Sequence, residues 1–239
     1  MPLPPATLPC VAITGASGAL GQALLRAWHR RGARLIALRS STAPLLLRDD
    51  AGAPIELRQV VWRVGAEQEL AELLAGVDVL VLNHGVNVHG RRDAEATALS
   101  LEVNALSSLR LLELFATAVA GRSPDAPRPE LWVNTSEAEI EPAFSPLYEI
   151  SKRLLGQLLS LRALDLGRQL RIRRLVLGPF RSALNPVGVM GAEFVARQIL
   201  IQARLGLNLI IVTPNPLAIL LMPLAALGRW LYYGLLTRS

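Results

Sequence analysis

The feature that most constrains this chain is the turn Thr14-Gly15-Ala16-Ser17-Gly18-Ala19-Leu20-Gly21, set between a short apolar run (10–14) and an amphipathic one. In the second run Leu20, Ala23, Leu24, Ala27 and Trp28 recur at helical spacing, so the unit reads strand, glycine turn, helix. Glycines there let the backbone approach a pyrophosphate, and the helix start offers free N–H groups and a partial positive charge. Gly15, Ser17, Gly18 and Leu20 are candidate cofactor contacts, with a purely structural turn as the alternative.

The same grammar repeats along the chain. Strands are expected over 34–38, 56–64, 77–82, 131–135, 170–177 and 208–213, with helices over 67–74, about 94–120, 148–167 and 192–205. Seven apolar strands separated by helices predict an α/β Rossmann-type fold, a doubly wound parallel sheet with helices on both faces, because each crossover must return to the same sheet end. We expect one dinucleotide-binding catalytic domain over 1–214, followed by an apolar segment over 215–239.

Composition narrows the possibilities. One cysteine, Cys10, excludes an internal disulfide and a cysteine metal cluster, and His29, His84 and His89 are too scattered to suggest a metal site. A reducing, cytoplasmic setting is the expectation, and residues 1–9 do not read as a secretory signal. The net charge is +6, but the arginines are dispersed and aromatic residues make up 5% of the chain, so nucleic-acid binding is not expected. Pairs such as Arg30-Arg31, Arg91-Arg92 and Arg173-Arg174 read as solvated faces. Residues 215–236 are apolar with Arg229 as the only charge, long enough to cross a bilayer, yet interrupted by Pro223, Gly228 and Gly234. A helix packed on the domain or a partner is the first reading, a peripheral membrane anchor the second and a span the third.

The second strand ends Leu38-Arg39-Ser40-Ser41 with no carboxylate to hold free ribose hydroxyls. An arginine and hydroxyls suit a 2′-phosphate, so NADP(H) is preferred and NAD(H) allowed, with Arg39 as a solvated loop charge the alternative. Further along stand Asn83-His84-Gly85 after the fourth strand, Glu102-Val103-Asn104, Ser136 closing the fifth strand, and Tyr148-Glu149-Ile150-Ser151-Lys152.

These motifs resemble those of the short-chain dehydrogenase/reductase superfamily, over about residues 11–213. The resemblance implies hydride transfer between a nicotinamide and a carbonyl or alcohol carbon, with Tyr148 as general acid or base; a catalytically silent dinucleotide-binding sensor or membrane-associated scaffold of the same fold is the alternative. Ser136 would orient the carbonyl, with Thr135 the weaker candidate, and Asn104 would hold a water linked to Lys152. It also implies cofactor contacts from Val64, Asn83, Gly85, Tyr148, Lys152 (to the nicotinamide ribose), Phe180 and Ser182, and a homodimer or homotetramer paired through the helices around Asn104 and Tyr148. A narrower likeness, carried by 134–139, 144–148 and the apolar end, is to the dehydrogenase portion of cyanobacterial and plant bifunctional sterol desaturase/short-chain dehydrogenase proteins. It implies a lipid-like substrate at a membrane surface.

The residues themselves carry part of this chemistry. A gap of four puts Tyr148 and Lys152 on one helix face, where an ammonium lowers a phenol's pKa and makes it a general acid or base. Lys152 is the only lysine, against 24 arginines. Arginine, always charged and bulkier, would serve poorly there. Two departures stand out: Arg63-Val64-Gly65 lacks the usual aspartate, and little chain separates Ser182 from the next helix for a substrate lid, leaving an open pocket or one completed by the C-terminal segment or a second subunit. Glu137, Glu139 and Glu141 read first as a solvated loop and second as the pocket mouth.

Overall fold

The computed structural model describes residues 8–123 and 125–237. Residues 1–7, on which most of the signal-peptide reading falls, and residues 238–239 of the C-terminal segment lie outside the described residues.

Alternation along the strands decides the layering. In β1 (Cys10–Thr14), Val11 and Ile13 enter one buried cluster and Cys10 and Ala12 the other. Two helices, α1 (Ala19–His29) and α6 (Ala192–Arg204), cover the first face. The second face carries α2 (Ala71–Ala75), α4 (Ser107–Val119) and α5 (Pro146–Leu166). The remaining strands are β2 (Arg34–Arg39), β3 (Arg58–Val61), β4 (Val79–Leu82), β5 (Glu130–Ser136), β6 (Arg171–Leu177) and β7 (Leu209–Val212). They form one parallel sheet in the order β3-β2-β1-β4-β5-β6-β7, the expected architecture. The order reverses between β1 and β4, which opens a crevice at their C-terminal ends.

Three local differences from the sequence reading have physical causes. The third strand is four residues long, because its outer edge has no neighbour to pair with. The helix expected over 67–74 begins as a 3₁₀ turn (Glu67–Leu70) before α2. The long helix after 94 is α3 (Ala94–Leu101) and α4 joined by a π-helical turn, Glu102–Leu106, that contains Asn104.

The C-terminal segment is a 21-residue helix, α7 (Pro216–Leu236), started by the Asn215 side chain accepting from the Leu217 N–H. It packs on α5. Arg173 and Arg174 are not a solvated face. Arg173 is buried on β6 and bound to Glu130, while Arg174 reaches Glu139, the Gly156 carbonyl and Ser160.

Candidate active site

The glycine turn lines the crevice. Gly15 has a φ of +61°, and a Cβ there would stand 2.8 Å from the Asn83 carbonyl oxygen; one on Gly21 would stand 2.4 Å from that of Gly15. Only glycine permits both approaches. No side chain caps α1 and no acid stands in its first turn, so its N–H groups and positive end face the crevice unmatched. That is the donor set a pyrophosphate requires. Ser17 and Gly18 are exposed at the lip, whereas the Leu20 side chain is buried in the core and leaves only its main chain for a ligand.

A run of hydrogen bonds leads from this turn to the lysine. Asn83 Nδ2 donates to the Gly15 carbonyl at 3.4 Å and Asn83 Oδ1 accepts from Asn134 Nδ2 at 2.9 Å. The Asn134 carbonyl in turn accepts from Lys152 Nζ at 3.0 Å. Asn134, which the sequence reading passed over, is thus the link between the two halves. A polar residue inside the apolar strand 130–136 was the signal for it. Thr14 Oγ1 accepts from the Asn83 N–H at 2.9 Å and pairs with His84 Nδ1 at 2.8 Å. Burial, then the Lys152 charge, pushes the His84 imidazole down to about 4, so it is neutral.

The proton-handling groups converge at the end of β5. Lys152 is buried, with its Nζ 5.6 Å from the centroid of the Tyr148 ring. Burial pulls its ammonium down to about 8, opposed by the charge of Glu139. Burial raises the Tyr148 phenol, a hydrogen bond with Ser136 lowers it, and Glu137 raises it again, with a net upward shift; the lowering expected from the Lys152 ammonium is not seen, because that ammonium is directed to the Asn134 carbonyl. Ser136 is the hydroxyl in reach of Tyr148, because Thr135 is buried and donates into the sheet at the Leu175 carbonyl.

Asn104 is buried but does not touch Lys152. Its Oδ1 accepts from the Val86 N–H at 2.8 Å and its Nδ2 donates to the Val86 carbonyl and to Ser151, each at 3.0 Å. It pins the loop after β4, and a Cβ on Gly85 would sit 3.1 Å from its Oδ1.

At the adenosine end, Arg39 is buried, contrary to the solvated-loop alternative. One guanidinium nitrogen donates to the Ser41 and Ala43 carbonyls and the Nε has no protein partner, while Ser40 is exposed beside it. Val64 is half-buried before Gly65, whose N–H is held by Glu67 at 3.1 Å. Phe180 packs on the α1/α6 core, and the Ser182 hydroxyl accepts from the Asn185 N–H at 3.2 Å. A close Phe180–Met190 bridge folds the segment back on itself where a lid would otherwise stand.

The three glutamates are not a solvated loop. Glu139 is buried and pairs with Arg174 at 3.3 Å and Arg229 at 2.8 Å. Glu137 accepts from Thr213 Oγ1 at 2.6 Å, and Glu141 accepts from the Asn215 amide. The acids therefore bind the approach to α7 and α7 itself. An arginine inside an apolar helix needs a buried acid, which was the signal available in the sequence.

Fold and cluster together define a Rossmann-like α/β chain with a glycine-lined crevice. Residues 11–126 match the NAD dependent epimerase/dehydratase family. The chain is 47% identical over 229 residues to a monoglucosyldiacylglycerol epimerase of Synechocystis sp., an alignment covering 96% of this chain and 55% of that protein. The chain thus spans about half the length of this curated relative, whose name is that of an epimerase and not of a sterol desaturase/dehydrogenase. In fold it is similar to a short-chain dehydrogenase from Sphingobium yanoikuyae in complex with NADPH, with a TM-score of 0.74 and 18% identity, covering 97% of this chain and 96% of that one. It is also similar to the bulky-bulky ketone specific alcohol dehydrogenase from Comamonas testosteroni, with a TM-score of 0.76 and 18% identity, covering 93% and 94%.

Proposed function

We propose that this chain is an NAD(P)-dependent enzyme that oxidises and re-reduces a hydroxyl-bearing carbon on the sugar of a glycolipid, inverting that carbon. One observation carries the redox part: Ser136, Tyr148 and Lys152 meet at the mouth of the crevice that the glycine turn lines. The relative's identity over nearly the whole chain supports an epimerase over a net dehydrogenase and a glycosyl diacylglycerol as substrate.

When bound, the nicotinamide supplies reversible hydride acceptance at the substrate carbon. Tyr148 takes the hydroxyl proton as the C–O bond becomes a carbonyl and returns it after the sugar has presented its other face. Ser136 holds the carbonyl oxygen and, through its hydrogen bond, draws the Tyr148 phenol down against burial, while Lys152 braces the Asn134 main chain beside it. Hydride and proton both leave and return, so no net oxidant is needed. Exposed Ser40, on the loop that buried Arg39 holds through the Ser41 and Ala43 carbonyls, and the lack of a carboxylate there support a 2′-phosphate and hence NADP(H). Subunit pairing would use α4 or the part of α5 that α7 leaves free.

The test is incubation with a glucosyl diacylglycerol and catalytic NAD(P)⁺. The expected result is an epimerised headgroup with no net change in nicotinamide absorbance. Stoichiometric NADPH consumption on a ketone panel, with no epimer formed, would replace this reading with a net carbonyl reductase.

A further inference from the structure

Helix α7 turns its one charge inward and its apolar side chains outward. Arg229 is held against Glu139, Ala218 and Met222 are buried, and Tyr233 donates to Gln157 Oε1 at 2.8 Å. On the opposite side Leu220, Leu224, Leu227 and Leu231 form one stripe, 46–62% exposed. A helix whose outer face met water would be arranged the other way round.

We propose that this stripe rests on the surface of a lipid bilayer, with α7 lying in the membrane plane instead of crossing it. The helix is fastened along its length, by Asn215 to Glu141 at its start, by Arg229 to Glu139 in its second half and by Tyr233 to Gln157 near its end. The first two partners lie on the segment before α5, and Gln157, with Gly156 beside the Arg229 guanidinium, lies on α5 itself, so one side of a rod about 31 Å long is committed to protein. Trp230 and Tyr232 are exposed near its C-terminal end, ring types that settle at the head-group level. Its N-terminal end adjoins the segment that follows Ser136, and Phe144, just before α5, is fully exposed there. A membrane contacting the stripe would therefore lie beside the entrance of the site. The choice of lipid as the occupant rests on the glycolipid reading above and on the net charge of +6, which favours an anionic surface.

The test is flotation of the full chain with vesicles of equal parts phosphatidylcholine and phosphatidylglycerol. Wild type should float and be released by alkaline carbonate. Leu224→Glu/Leu227→Glu should lower the floated fraction by about tenfold or more, since two leucines leave the apolar phase, with NADPH binding and melting temperature unchanged. Equal flotation of the double variant would overturn the proposal. So would carbonate-resistant wild type, which means a span, and so would a non-floating wild type, whether monomeric or a dimer that the same substitutions dissociate. Flotation without epimer formation would leave this inference standing and remove the glycolipid reading. Turnover of detergent-dispersed glycolipid without flotation would do the reverse.

Discussion

Helices α5 and α7 are both 21 residues long, both carry a proline in the first turn, and they pack against each other. Yet α5 buries a lysine and two small polar or glycine positions among its leucines, while α7, with a mean hydropathy of 1.5 over its best window, buries only Ala218 and Met222. Hydropathy therefore does not report burial here. The polar helix is inside because its polar groups find partners, such as Lys152 at the Asn134 carbonyl and Ser151 at the Asn104 amide. The apolar helix is seated at the edge of α5 by an ion cluster, in which Glu139 before α5 and Arg174 on β6 meet Arg229, and its opposite face stays exposed.

The largest effect expected from this contrast is on chemistry held by α5. Tyr148→Phe should lower kcat by about 10²–10⁴-fold while NADPH binding, followed by fluorescence titration, is retained. Loss of binding together with turnover would mean that the tyrosine's role is structural. Next, Glu139→Gln should destabilise the fold by about 3–5 kcal/mol, because two buried guanidiniums lose their counter-charge, and urea denaturation would read this. A neutral result would show that the seat of α7 is not ionic.

The third prediction concerns pH. The folded state holds the Lys152 ammonium near 8 against an ordinary value of 10.5, so the unfolded chain binds more protons between those values. Wild-type stability on this account rises with pH across that window. Lys152→Met should therefore be inactive, and its melting temperature relative to wild type should be most favourable below pH 8 and fall off between about 8 and 10.5. A constant difference would remove the burial explanation. The smallest effect is at the adenosine end: Ser40→Asp should weaken NADPH relative to NADH by about tenfold, through repulsion of the 2′-phosphate. Unchanged relative affinity would place that phosphate elsewhere.

Sequence pattern made the strands, the glycine turn and the Tyr148–Lys152 spacing legible, since each is a local property of a few neighbouring residues. What stayed hidden depends on partners far along the chain. Glu139 meets Arg229 across 90 positions and Glu137 meets Thr213 across 76, so three acids in a row of alternating positions looked like loop. Asn104 falls in the helix expected over about 94–120, but its π-helical turn aims the amide at Val86 and Ser151 and not at the lysine. Backbone irregularity of that kind leaves no mark in hydrophobic periodicity. Arg39 shows the same limit: its residue type suggested a ligand contact or a free charge, and it spends one nitrogen on its own loop.

The single lysine has a practical consequence. Amine-directed labels and crosslinkers have one side-chain target in this chain, and that target is buried at the proposed site. Modification of Lys152, read by mass spectrometry on the intact protein, should therefore be slow in the folded chain, and its rate gauges how often the site opens; a bound nicotinamide cofactor should slow it further.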